Sequence, residues 1–133
     1  MTKKQSTSMP SMESWLEDAK RDPSADQCGM YLFHNGIVRK TAKARARKGE
    51  DVSDVSGMLF SYDEEKVNKA VSNAYKMKGI HHVRVWLNNG ELNVGDNIML
   101  VLIGGDIRPN VINALEALVE EIKTNCVKET EIY

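Results

Sequence analysis

The chain has 133 residues, with 18 Lys or Arg against 19 Asp or Glu and a formal net charge of −1. That size suits one domain able to bury its own core, and the near-neutral balance excludes binding of nucleic acid or an anionic membrane through the overall field of the protein. The composition, 41% hydrophobic and 28% charged, is that of a globular chain, and no apolar run reaches the roughly 20 residues of a membrane helix.

Residues 1–10, MTKKQSTSMP, are polar and aperiodic and read as a flexible leader without the apolar centre of a signal peptide, ahead of a domain spanning 11–133. Ser11 can cap a short helix with an apolar stripe of Met12, Trp15, Leu16 and Ala19. Asp22-Pro23 ends it and Pro23 to Gln27 reads as a loop. Met30 to Phe33 predicts a strand that resumes at Ile37-Val38 after a bend or bulge at Gly36. The run RKTAKARARKGED follows, with Arg39, Lys40, Lys43, Arg45, Arg47 and Lys48 and no strong β-former. It reads as a solvated, mobile loop whose cations repel one another unless an anion gathers them. Val52 to Tyr62 predicts a second strand, with Val55, Met58 and Phe60 as its apolar members.

Ser61-x-x-Glu64 has the spacing of a capping box, and Val67, Val71 and Ala74 define one face of the helix it opens. Lys76 and Lys78 suit its last turn, and Gly79 suits the position just beyond. Val83, Val85 and Leu87 alternate as in a half-buried strand, and Asn89-Gly90 predicts a tight hairpin to a return strand at Glu91 to Val94. After Gly95-Asp96, the continuous apolar run Ile98 to Ile103 predicts a central strand covered on both faces. Asp106 to Lys128 is then the stretch around which the chain is organised. Val111, Leu115, Leu118 and Ile122 recur at helical spacing, with Arg108 at the start and Lys123 and Lys128 at or past the end. Glu129 to Tyr133 can form a terminal strand. The order α-β-β-α-β-β-β-α predicts a single α+β domain with helices packed on a mixed, largely antiparallel sheet.

Four cations are the candidate site: Arg39, Arg108, Lys123 and Lys128. If the strand and helix ends that carry them converge, they suit a phosphate-bearing substrate, because arginine grips phosphate bidentately and lysine serves as a point charge. Each alone is equally a surface charge, and a lysine near the helix end also complements the macrodipole. His34, His81 and His82 lack metal-ligand spacing, so no metal is expected. Gly104-Gly105 lacks the rest of a phosphate loop, no nucleophile motif is present, and no cofactor is expected. The basic run 39–48 has no aromatic residue for base stacking, which argues against nucleic acid. Cys28 and Cys126 form no C-x-x-C motif and read as free thiols of a reduced, cytoplasmic protein.

Three segments carry a resemblance: Phe33-His34-Asn35-Gly36-Ile37-Val38-Arg39, then Gly90-Glu91-Leu92-Asn93-Val94-Gly95-Asp96, then NIMLVLIGGDIR followed by Ala114-Leu115-Glu116-Ala117. In their order and spacing the chain resembles the large, catalytic subunit of molybdopterin synthase, from about Trp15 to Lys128. The resemblance implies an α/β-hammerhead-like fold and a sulfur-transferring enzyme of molybdenum cofactor biosynthesis. A ubiquitin-like small subunit would bring sulfur as a C-terminal Gly-Gly thiocarboxylate. Cyclic pyranopterin monophosphate would receive two sulfurs and open its cyclic phosphate to give molybdopterin. The resemblance also implies a homodimer that becomes a heterotetramer with its small subunits. Lys123 and Lys128 fall on the family's active-site lysines, and Arg39 and Arg108 would hold the phosphate.

The chain departs from that pattern at Ile107, where the family has histidine. It departs again at Asn125-Cys126-Val127, which replaces the family's P-x-W with two residues fewer, and in ending at Tyr133 without the family's C-terminal extension. These differences leave a second reading open, a catalytically weakened relative that binds the small subunit or a pterin.

Overall fold

The structure, a computed structural model, describes residues 8–133; of the leader read at 1–10, residues 1–7 lie outside the described residues. Ten regular elements follow: α1 Met12–Arg21, β1 Met30–Ile37, α2 Lys43–Lys48, β2 Gly57–Tyr62, α3 Glu64–Tyr75, β3 Ile80–Leu87, β4 Gly90–Asn93, β5 Asn97–Gly105, α4 Arg108–Glu121 and β6 Val127–Ile132. The α+β class holds, but the strands form two sheets rather than one. Their orders are β1-β5-β3 and β4-β2-β6, and every pairing is antiparallel.

β5 is the central strand that its unbroken apolar run predicts. Met99, Val101 and Ile103 face the main core with α3 and α4, whereas Leu100 and Leu102 face Trp15 and Ala19 of α1. Alternation along one strand thus supplies two apolar faces, and both are covered. Of the stripe predicted on α1, Trp15 and Ala19 are buried, while Met12 is exposed. Arg84 covers Trp15 with its guanidinium 4.6 Å from the ring centre and pairs with Asp18 at 3.2 Å, so a cation roofs the aromatic ring.

Several local expectations are corrected. Asp63, not Ser61, caps α3, accepting from the Lys66 N–H at 3.2 Å. The carboxylate competes well for this place because it also opposes the positive end of the helix. α3 ends at Tyr75, before Lys76 and Lys78. The turn at Asn89-Gly90 does not close a hairpin between neighbours, because β4 pairs with β2 in the other sheet. Asn88, buried at this crossing, donates to the Asn97 carbonyl at 2.8 Å and directs the chain from one sheet to the other. The long C-terminal helix stops at Glu121, Ile122–Cys126 forms a π turn, and Val127 already begins β6. Lys128 therefore sits in a strand rather than at a helix end. The basic run, read as a loop, contains the short helix α2.

Candidate functional site

A cavity of about 650 Å³ opens where the end of β1, α2, the π turn and β6 meet. Each cation there has a structural reason for its place. Val38 is buried, its N–H donates to Asp96 O at 2.9 Å and its carbonyl accepts from Gly95 N at 2.8 Å, and Ala42 is fully buried. Between these two anchors Arg39 is left outside, and its Nε–H donates to Thr41 O at 2.9 Å. Ile122 is fully buried on the apolar stripe of the preceding helix, so the next residue, Lys123, emerges at the edge of the core. Its aliphatic stem can lie along the cavity wall while its ammonium meets solvent. A π turn of this kind displaces side chains from the regular helical path and recurs at functional sites.

Arg39, Lys43, Arg47 and Lys123 line the cavity over a partly apolar floor that includes Met58, Ile98 and Met99. None of the four takes part in an ion pair among the described residues. Glu129 and Glu131 also line it. The Glu131 carboxylate is engaged at both oxygens: Oε2 accepts the Lys43 backbone N–H at 2.9 Å and Oε1 accepts the Tyr133 hydroxyl at 3.1 Å. That second bond raises the Tyr133 phenol above its ordinary pKa. His34 is half-buried in the wall, and burial, then the positive charge of Lys123, pushes its imidazole pKa down. The ring is thus neutral at neutral pH and offers a donor and an acceptor to the cavity. Unpaired cations in a concave, partly apolar site bind anions and stabilise negative charge as it develops.

Of the four residues singled out in sequence, Arg39 and Lys123 come together in this cavity; Lys128 and Arg108 do not line it. Lys128, between the lining residues Val127 and Glu129, is exposed where both of these are half-buried, and it does not itself line the cavity. Arg108 begins α4 just beyond Gly105, at the far end of β5 from Asn97. Met99 of β5 lines the cavity, and at about 3.3 Å per residue the strand from there to Gly105 puts roughly 20 Å between Arg108 and that wall. The sequence reading missed His34, Glu131 and Tyr133 as cavity residues, and recognised Lys43 and Arg47 only as members of a basic run. The signal for the latter two was present in their i, i+4 spacing, which puts both on one helical face.

A second cavity of about 400 Å³, lined by Tyr62, Glu64, Val67, Asn68, Val85, Trp86, Leu87 and Asn89, contains no cation and does not suit an anion. Among the described residues, no group of three or more His, Cys, Asp or Glu is placed to hold a metal ion, and no helix is long and apolar enough to cross a membrane. Cys28 and Cys126 are both free.

The model of the MoaE protein family matches residues 6–125. No curated protein matches the sequence. Among solved structures, a molybdopterin synthase from Staphylococcus aureus is similar with a TM-score of 0.71 and 18% identity, over 93% of this chain and 85% of that one. A molybdopterin biosynthesis MoaE protein from Burkholderia ambifaria MC40-6 has a TM-score of 0.70 and 16% identity, over 95% and 84% of the two chains. A complex of subunits 1 and 2 of molybdopterin-converting factor from Helicobacter pylori 26695 has a TM-score of 0.63 and 22% identity, over 92% and 80%.

Proposed function

The chain belongs to the MoaE protein family, and from that premise we propose that it is the catalytic subunit of a molybdopterin synthase. It transfers sulfur from the thiocarboxylated C-terminus of a ubiquitin-like small subunit to cyclic pyranopterin monophosphate. Each transfer leaves the partner's terminus as a carboxylate, with water supplying the oxygen that replaces sulfur. The observation that carries this reading is the convergence of Arg39 and Lys123, both without an ion-pair partner among the described residues, in one cavity of about 650 Å³. A cavity of that size suits a small molecule.

In this reading Arg39 holds the substrate phosphate through its guanidinium fork. Lys123 stabilises the negative charge that develops as the thiocarboxylate reacts, and returns a proton to the intermediate. Lys128, exposed on β6, supports the partner's tail outside the cavity. Arg108 enters a site only from a second copy of the chain, which the proposed homodimer supplies; with two small subunits it forms a heterotetramer. We assign the protein to the cytoplasm, where its two free thiols stay reduced.

Ile107, 57% exposed where the family carries histidine, favours the second reading, a relative that binds the small subunit or a pterin with little turnover. Mixing the purified chain with thiocarboxylated small subunit and cyclic pyranopterin monophosphate separates the two. Molybdopterin formation supports the enzyme. Saturable binding of either ligand without product supports the binding module.

A further inference from the structure

The helix α2 has a sequence, KARARK, in which every second side chain is cationic. The helix sorts those charges by face. Arg45 is tied to the acidic segment that follows, with its guanidinium 3.2 Å from Asp54 and 3.5 Å from Asp51 and a further bond to the Val52 carbonyl. Lys43 and Arg47, two residues to either side and so on the opposite face, line the cavity. Six residues are too few for a helix to persist alone, and like charges at i, i+4 oppose it further. Three contacts hold it: the buried Ala42 at its start, the Arg45 tether, and the Glu131 carboxylate that accepts the Lys43 N–H. Both Glu131 oxygens are already bonded, to that N–H and to the Tyr133 hydroxyl. The carboxylate fixes the backbone of α2 and forms no ion pair with the Lys43 ammonium. The charges of Lys43 and Arg47 remain for a ligand.

We propose that α2 is a second anion-binding arm of this cavity, in which Lys43 and Arg47 take the phosphate of the pterin as its ring opens, and Glu131 is the residue that positions them. The inference rests on the pterin-phosphate reading above and extends it. The cyclic phosphate is a diester with one negative charge. Opening it by cleavage of one ester P–O bond, with water supplying the new oxygen, gives a monoester that carries about −1.5 to −2 near pH 7. Arg39 and Lys123 then face a growing charge, and a guanidinium and an ammonium on α2 match the increment, the first as a bidentate fork and the second as a point charge.

The test uses inorganic phosphate as probe on the full chain, titrated at pH 7.5 and followed by amide chemical shifts, with circular dichroism confirming the fold of each variant. The double variant Lys43→Ala, Arg47→Ala is expected to bind phosphate at least about tenfold more weakly. Lys40→Ala changes the charge of the same segment, but its side chain pairs with Asp54 at 4.0 Å outside the cavity; it is expected to stay within about twofold of wild type. Glu131 gives a test of opposite sign. Removing its charge alone favours anion binding, so Glu131→Gln, which keeps an acceptor for the Lys43 N–H, is expected to bind phosphate as well as wild type or better. Glu131→Ala loses the acceptor and is expected to bind several-fold more weakly despite the more positive cavity. Unchanged affinity in the double variant, or tighter binding by Glu131→Ala than by wild type, would overturn the proposal. The phosphate titration needs neither the small subunit nor turnover. A chain that binds phosphate through α2 but makes no molybdopterin refutes the sulfur-transfer reading alone, and one that makes molybdopterin with α2 indifferent to phosphate refutes this inference alone.

Discussion

The two ends of α4 are built for opposite purposes. At its start the backbone is locked. Asp106 accepts from the Ile107 N–H and from Asn110 Nδ2, bonds that, Asn110 first, hold its carboxyl below its ordinary pKa. The Asp106 N–H donates to Gly79 O at 2.9 Å, and Gly29 N–H donates to Gly105 O at 2.7 Å. Gly79 has φ 77, and a Cβ there would lie 2.1 Å from Asp106 Oδ1. Polar groups at this end satisfy one another at close quarters. Past the other end of the helix a π turn presents Lys123 to a cavity in which four cations lack ion-pair partners among the described residues. Arg108 and Lys123, which look alike in sequence as helix-end charges, sit beside a locked joint and at the wall of a cavity respectively. An unpaired charge in a concavity, rather than position on a helix, distinguishes the site.

The largest effect that should sharpen this contrast is at the joint. Gly79→Ala meets both an unfavourable φ and a collision, and should lower unfolding free energy by about 2–4 kcal/mol in urea titrations, with phosphate binding by the folded fraction unchanged. Gly49, which ends α2 with φ 66 and has nothing within 4 Å of a built Cβ, should cost only about 1 kcal/mol when changed to alanine. Equal losses at the two glycines would remove the distinction between a packed joint and an open rim.

A smaller effect is expected at Lys128. It is exposed on β6, so Lys128→Ala should slow single-turnover product formation less than about tenfold, by weakening the partner's tail rather than the chemistry. A loss as large as that for Lys123→Ala would bring Lys128 into the reacting site. The smallest effect is a proton shift. Burial and then Lys123 depress the His34 pKa. Lys123→Gln should therefore raise its NMR titration midpoint toward the ordinary value near 6.5. The linkage follows the same sign: the unfolded chain binds this proton more readily, so the His34 contribution to stability falls as pH drops below about 6.5. An unmoved midpoint would show that Lys123 does not act on the wall of the cavity.

Much of the fold was legible because local pattern and burial agree. β5 reads as an uninterrupted apolar run and is buried on both faces, and Arg39 and Lys123 could be placed at element ends from spacing alone. What escaped depends on contacts distant in sequence. Asn89-Gly90 marks a turn, but nothing local says that the next strand will leave β3 for β2. The six residues of α2 consist of good helix formers, yet their anchor, Glu131, lies 88 residues from Lys43. The π turn at Ile122–Cys126 has the apolar spacing of an ordinary helix until the Asp63 N–H, which donates to the Cys126 carbonyl at 2.8 Å, and the start of β6 end it. Ser61 and Asp63 both offer a cap, and the choice between them rests on electrostatics that a spacing rule does not weigh.

Whether Lys123, at the cavity end of α4, takes part in the chemistry is decided by single-turnover molybdopterin formation with saturating thiocarboxylated small subunit and cyclic pterin, comparing wild type with Lys123→Ala. Lys123 is exposed, so the substitution should cost less than about 1 kcal/mol of stability. A catalytic role for Lys123 predicts product from wild type and a loss of about a hundredfold or more in rate for a fully folded variant, with Lys123→Arg failing to restore it because guanidinium does not release a proton. A Lys123→Ala rate equal to that of wild type would contradict it and leave Lys123 a surface charge.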